Sequence, residues 1–337
     1  MKHILQSIQL EMENVTITGG VFHNHNYVGS TMSNVLSWAD DALAAKSITI
    51  TGGQFSSLDP MTYMDSDNEK LTLGEDVVLD EQFTFPYGGK AVLDLNGHSI
   101  SLEKEQTSGY QLLLNDGDLT IADGVGTGRI SYTDLGVGGE YVSNTITNRG
   151  TLTIKGGTIE NLSSEALANV GYPYVIDTSI WGEAEEVVVN IEGGIIDAKY
   201  YSPLRVRADS QTKEVVANIS GGEIRGRIDH QMSSSKAGVK GTLNITGGKF
   251  VPQGIKSPYI IQVFGAGLET DASGIVLNIE NGVFEGDITI NRGQYVPLGK
   301  GFNEKFIKGG IFKYDPSKYL AEGKVAEQDS EGRWIVK

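Results

Sequence analysis

A short phrase built around a pair of glycines recurs along the chain and limits the folds it can adopt. It reads "GTLTIKGGTIEN" at 150–161 and returns, among other copies, as "SITITGGQF", "VVANISGGEI" and "GTLNITGGKF". Before the glycines, apolar residues alternate with polar ones, as in a strand with one buried face. Each copy therefore predicts a strand, a sharp bend and a second strand.

The spacing of the phrase separates coils from hairpins. Its first-glycine position, glycine or a replacement, falls at 19, 52, 97, 123, 156, 193, 221, 247, 281 and 309, so successive copies lie 26 to 45 residues apart. Hairpin proteins place turns about every 8–12 residues, whereas longer steps fit one full turn of a stacked solenoid. The sequence predicts an all-β, right-handed parallel β-helix.

The glycine pair is interpreted as the corner of a coil. Glycine reaches positive φ without a Cβ clash, and the residues that replace the first glycine in two copies, Asn281 and Asp123, are the types that best tolerate that conformation. A phosphate-binding loop would need a helix directly after it, and no helical pattern follows these copies. We expect the bend to serve the backbone.

One outward position in each copy carries a small polar residue. On stacked parallel strands such residues form rows that can hydrogen-bond from coil to coil. The predicted row contains Thr16, Thr49, Asp94, Thr120, Thr153, Asn190, Asn218, Asn244 and Asn278.

Composition excludes several classes of function. The 27 basic and 43 acidic residues give a formal charge of −16, which repels phosphate backbones, so we expect no nucleic-acid partner. No apolar run approaches the roughly 18 residues of a membrane span, and we expect no membrane insertion. The chain has no cysteine, which excludes disulfides and thiolate metal sites. We expect no cofactor and no metal.

The pattern divides the chain into four parts. Residues 1–56 hold the first repeats and an amphipathic helix, "STMSNVLSWADDALAAK", which is expected to cap the solenoid or attach it to a partner. Residues 57–70 are expected to form an acidic connector, 71–300 the β-helix body, and 301–337 the last repeat and a C-terminal cap.

Three stretches from successive coils concentrate basic and aromatic residues in this acidic chain: "YYSPLRVRADS", "IRGRIDHQ" and "IKSPYIIQ". Stacking would bring them to one side, where aromatic rings and arginines suit a glycan or protein partner. The other interpretation is ordinary outward residues that balance neighbouring acidic groups. The candidate binding residues are Tyr200, Tyr201, Arg205, Arg207, Arg225, Arg227, Asp229, His230, Lys256 and Tyr259, with Tyr172, Tyr174 and Trp181 as possible neighbours.

The phrases "AVLDLNGHSISL", "GTLTIKGGTIEN" and "GGIFKYDPSKYLAEG" resemble the glycine-pair β-helix repeat proteins of gut Firmicutes surfaces and their phages. The resemblance covers most of residues 71–337. It implies a pectate-lyase-like fold, usually without catalysis, that serves as an adhesin, fibre or decoration module. The sequence contains no leader, LPxTG-type sorting signal or surface-layer repeat, which favours the virion version.

Three functions remain open. The first is a non-catalytic virion module, a fibre, spike or capsid-attached protein that forms a homo-oligomer, with a trimer expected, and contacts other virion proteins or cell-surface polysaccharide. The second is a bacterial surface adhesin. The third is a polysaccharide lyase or hydrolase that uses Arg205, Arg225, Asp229 and His230, although the polygalacturonase-like catalytic motifs are missing from the sequence. We therefore expect no catalytic residues.

Overall fold

A computed structural model describes most of the chain. The described residues are 15–23, 48–105, 110–136, 143–166, 172–234, 238–265, 267, 269–291 and 297–337. The predicted amphipathic helix at 30–46 lies outside them. No helix among the described residues is long and apolar enough to cross a membrane.

The chain forms a right-handed parallel β-helix of about nine turns, and its strands stack into three sheets. The first sheet, sheet A, has ten strands, in spatial order β1 (Val15–Phe22), β2 (Ile48–Phe55), β3 (Asp65–Leu73), β6 (Lys90–Asp94), β9 (Asp118–Ala122), β12 (Thr151–Ile154), β15 (Val187–Ile191), β18 (Glu214–Ile219), β21 (Lys240–Ile245) and β24 (Ile275–Ile279).

The glycine bend leads from sheet A into sheet B. Sheet B has eleven strands, in the order β4 (Val77–Leu79), β7 (Ser99–Lys104), β10 (Arg129–Asp134), β13 (Thr158–Asn161), β16 (Ile195–Asp197), β19 (Glu223–Arg225), β22 (Lys249–Val251), β25 (Val283–Phe284), β27 (Gly310–Phe312), β29 (Trp334–Val336) and β28 (Ala326–Gln328).

A loop of variable length then leads into sheet C, and the next coil begins again in sheet A. Sheet C has eight strands, in the order β5 (Phe83–Phe85), β8 (Tyr110–Asn115), β11 (Ser143–Asn148), β14 (Tyr174–Thr178), β17 (Ser202–Ala208), β20 (Ile228–Met232), β23 (Tyr259–Phe264) and β26 (Asp287–Ile290). Three 3₁₀ helices complete the described elements: Asp59–Tyr63, Gly254–Lys256 and Ser317–Tyr319.

The inward residues of all three sheets form one continuous core. Leu152 and Ile154 of the repeated phrase are fully buried, and the register places them between their counterparts in the adjacent coils. The apolar residue that follows the glycine bend in each copy also points into this core. Near the C-terminal end, Phe250, Phe284 and Phe312 stack with ring centroids 4.8 and 4.5 Å apart. Stacking of coils therefore buries apolar edges that a single coil would leave in water.

The part of the predicted polar row from Thr153 to Asn278 forms a hydrogen-bonded ladder on sheet A. Asn278 donates to Asn244, Asn244 to Asn218 and Asn218 to Asn190, each at 2.9 Å, and Asn190 donates to Thr153 at 3.2 Å. One assignment in the row was wrong. The register pairs Val92, not Asp94, with Thr120, because Asp94 lies opposite Ala122.

The two glycines of the bend have different roles. In eight of the ten copies positive φ belongs to the second glycine, for example 78° at Gly194, whereas in the copy at 97 the first glycine, Gly97, has it. Neither Asn281 nor Asp123 is among the positive-φ residues of the described chain. The first glycine is needed because coils approach closely: a Cβ on Gly193 would lie 2.5 Å from the carbonyl oxygen of Lys155 in the preceding coil. The αL explanation for the two replacements was therefore wrong.

The two ends of the solenoid differ from the repeat. Segment 57–70 contains the 3₁₀ helix Asp59–Tyr63 and the first part of β3, so it builds a coil rather than connecting two parts. At the C-terminus, β29 runs antiparallel to both β27 and β28. This reversal ends the parallel stack.

Candidate functional site

Five of the ten candidate residues meet where sheet B turns into sheet C. Tyr201 precedes β17, Arg227 precedes β20, and Lys256 ends the 3₁₀ helix before β23, while Arg205 lies in β17 and Asp229 in β20. Arg205 and Asp229 are direct register partners. Stacking of successive coils brings these residues together, and we call the five, with Tyr174 and Asp177 of β14, the corner cluster.

Arg205 is held on two sides. Its Nε and Nη2 donate to the two carboxylate oxygens of Asp177 at 2.6 and 2.5 Å, and its guanidinium carbon lies 4.4 Å from the centroid of the Tyr174 ring. Side-chain exposure is 11% for Arg205 and 7% for Asp177. Burial alone would lower the pKa of Arg205, but the Asp177 carboxylate reverses the shift and raises it. A paired arginine of this kind stays charged.

Asp229 is buried and paired with Arg227. The Arg227 Nε and Nη2 lie 2.8 and 2.7 Å from Asp229 Oδ1, and the Tyr174 hydroxyl donates to Oδ2 at 3.5 Å. Burial raises the pKa of Asp229, while the Arg227 charge acts in the opposite direction. The carboxylate has no exposed surface.

Tyrosine rings form the outer part of the corner cluster. Tyr201 contacts Tyr174 edge to face at 5.4 Å and contacts Tyr172 in the same manner at 5.5 Å. The Lys256 ammonium lies 4.7 Å from the centroid of the Tyr201 ring. Tyr201 is buried, whereas the Tyr172 side chain is 44% exposed. Of the rings in this group, Tyr172 is the one that is exposed to solvent.

Two of the candidate arginines lie elsewhere. Arg225 ends β19 in sheet B, where it donates to Glu223 at 2.6 Å and to Asp197 at 3.0 Å. Arg207 lies two residues beyond Arg205 in β17 and pairs with Asp209 at 3.0 Å. Each of these two arginines is therefore paired with a nearby carboxylate.

His230 lies in the core and not on the binding side. It is fully buried, in register with the inward residues Val206 and Val263. Its Nε2 lies 3.0 Å from the Val276 carbonyl oxygen and its Nδ1 lies 3.5 Å from that of Val206. Burial lowers the pKa of His230 to about 4. As a surface binding residue His230 was wrong, because its strand position faces inward.

The remaining tyrosines and Trp181 lie around the cluster or away from it. Tyr200 packs partly buried against the Tyr174–Tyr201 pair, with the Lys199 ammonium 5.1 Å from its ring. Tyr259 begins β23 and is 36% exposed. Trp181 follows the C-terminal end of β14 and so lies beyond the opposite end of the sheet C strands from the tyrosines.

Sequence reasoning missed Asp177, the carboxylate that binds Arg205. Asp177 is the residue in "VIDT" that aligns with Arg205 in "PLRV". An alignment of the third strand of each coil would have found it, but the glycine phrase marks only the first two strands. The longer loop before β14 hides the period at that point.

The chain has no match among known protein-family models, curated proteins or solved structures. Within the described ranges, no group of three or more histidine, cysteine or acidic side chains is arranged to hold a metal ion.

Proposed function

We propose that the chain is a non-catalytic β-helical module with a structural or adhesive role, first of all as a virion fibre, spike or capsid-attached protein. The observation that carries the proposal is the burial of Asp229 and His230, which the polysaccharide-cleaving alternative would use as acid and base. A general acid or base must reach the proton that it transfers. Asp229 and His230 have no exposed surface.

The arginines also fit a structural role better than a catalytic one. An arginine that takes a proton from a sugar must first lose its own. The hydrogen bond that Arg225 donates to Glu223 raises the pKa of Arg225 despite partial burial, and Asp177 does the same for Arg205. Both groups are therefore further from the neutral form than a free arginine. This supports a scaffold over a polysaccharide lyase.

Adhesion is supported by exposed aromatic surface next to the corner cluster. Tyr172 and Tyr259 present part of their rings to solvent, and such rings combine an apolar face with a polar hydroxyl, which suits sugar rings and protein partners alike. The resemblance to phage and bacterial surface repeat proteins points in the same direction. The bacterial adhesin with the same fold is the second candidate, and a homo-oligomer, in particular a trimer, belongs to both proposals.

Turnover and binding can be measured on the same samples. We would incubate the protein with acidic and neutral polysaccharides and follow both new reducing ends and co-sedimentation. We expect no cleavage, with retention on at least one polymer or on purified particles. Cleavage by the wild type that Arg225→Ala abolishes, with the circular dichroism spectrum intact, would overturn the proposal.

Location separates the two candidate modules. Mass spectrometry of purified particles and of bacterial wall fractions should find the chain in particles if it is a virion protein. Enrichment in the wall fraction would replace the virion proposal with the adhesin.

A further inference from the structure

The Lys256 ammonium is partly desolvated but not neutralised. Among the described residues no carboxylate forms an ion pair with this ammonium. The ammonium makes a cation–π contact with Tyr201, 4.7 Å from the ring centroid. Burial lowers the pKa of Lys256 and the nearby Arg227 charge lowers it further, while Asp229 opposes both. The ammonium has lost water without gaining an anion.

The two carboxylates of the corner cluster are already in use. Asp177 binds Arg205 through both oxygens, and Asp229 binds Arg227. Three cations therefore meet two carboxylates, which leaves one positive charge at this point of a chain whose formal charge is −16. An anion that approaches Lys256 meets local attraction on a molecule that otherwise repels it.

The surroundings of Lys256 favour a ring-shaped ligand over an extended peptide. Peptides commonly bind by adding a strand to a free sheet edge. The strands that carry the cluster, β14, β17, β20 and β23, each have neighbours on both sides in sheet C, so no edge is available there. Exposed parts of Tyr172 and Tyr259 offer ring surface instead.

We propose that Lys256 binds the carboxylate of an acidic sugar residue, with Tyr172 in contact with the sugar ring. The inference rests on the proposed adhesive function and names its ligand class. The ammonium replaces its lost hydration with a charge-assisted hydrogen bond, which is stronger than a neutral one.

The test compares two lysines with the same charge. Lys256→Gln removes the proposed ligand group. Lys249→Gln removes an equal charge from β22 of sheet B, where Lys249 is half-exposed and lies 3.5 Å from Glu223. Calorimetry would measure binding of oligosaccharides that carry galacturonate, glucuronate or sialate, and of the same oligosaccharides after reduction of their carboxyl groups to alcohols.

We expect at least one acidic oligosaccharide to bind more tightly than its reduced form, and Lys256→Gln to weaken that binding about tenfold or more, the scale of one charge-assisted hydrogen bond. Lys249→Gln should bind as the wild type does. Equal binding by the two variants, or equal binding of acidic and reduced sugars, would overturn the inference and leave adhesion standing. Tighter binding of polyglutamate than of any acidic sugar would overturn the sugar assignment. Cleavage of an oligosaccharide would instead overturn the proposed function.

Discussion

The buried His230 makes a quantitative prediction about acid stability. Burial lowers the pKa of His230 to about 4 in the folded protein, whereas an unfolded histidine has a pKa of about 6.5. Between these values the unfolded state binds the extra proton, so stability falls as the pH falls. From pH 7 to pH 5 this one group should remove about 2 kcal/mol from the free energy of unfolding.

Urea unfolding at pH 7 and pH 5, followed by circular dichroism, measures this loss. His230→Gln removes the titrating ring and supplies an amide that can donate to the Val276 carbonyl. The free energy of unfolding of this variant should therefore fall by about 2 kcal/mol less than that of the wild type between the two pH values. His98→Gln, at a partly exposed turn position, is the comparison variant for replacing a histidine outside the core. If the His230 variant loses as much stability on acidification as the wild type, the assignment of a neutral core histidine fails.

Three further substitutions test the rest of the framework by urea unfolding. Asp177→Asn leaves its arginine partner buried and uncompensated and should lower the free energy of unfolding by about 3–5 kcal/mol. Its control, Glu280→Gln, breaks an exposed ion pair and should lower it by less than about 1 kcal/mol. Similar losses in the two variants would contradict the buried-pair argument. Gly193→Ala forces a Cβ against a carbonyl oxygen at 2.5 Å and should cost about 1–3 kcal/mol, whereas Gly124→Ala, with no atom within 4 Å, should change stability by less than about 0.5 kcal/mol. Asn218→Ala removes two ladder hydrogen bonds and should cost about 1–2 kcal/mol; an unchanged midpoint would show that the ladder does not stabilise the stack.

The fold was predictable because one repeated phrase carries both the strand alternation and the bend. The inward pair Leu152 and Ile154 and the row that contains Asn218 both follow from an alignment of the copies. The difference between the two glycines did not follow, since the distance between Gly193 and the coil below depends on stacking geometry that no single copy contains. Backbone proximity between coils is a property of the assembled solenoid.

The candidate site was predictable only in part for the same reason. Arg205 and Lys256 could be picked out as unusual residue types, but the partner of Arg205, Asp177, lies 28 positions away in sequence and belongs to a strand without a glycine marker. His230 was misassigned because the first two strands of each coil reveal their inward faces, whereas the third strand begins after a loop of variable length. A shift of one residue at that start moves every side chain to the other face.

The geometry of the connections explains why any recognition by this molecule should concentrate at the corner cluster. In the coils from β12 to β25, sheets A and B are joined by three residues each time, as between Ile154 and Thr158. At Gly193, Gly221 and Gly247 a Cβ would lie within 2.5 Å of a carbonyl oxygen of the preceding coil. The connections from sheet B to sheet C vary from two residues before β20 to twelve before β14. The coils therefore accept insertions at the corner between sheets B and C, whereas the corner between sheets A and B keeps one length in these coils. Residues such as Lys256 can therefore change there without loss of the stack, so a ligand preference can differ between proteins that share the same glycine phrase.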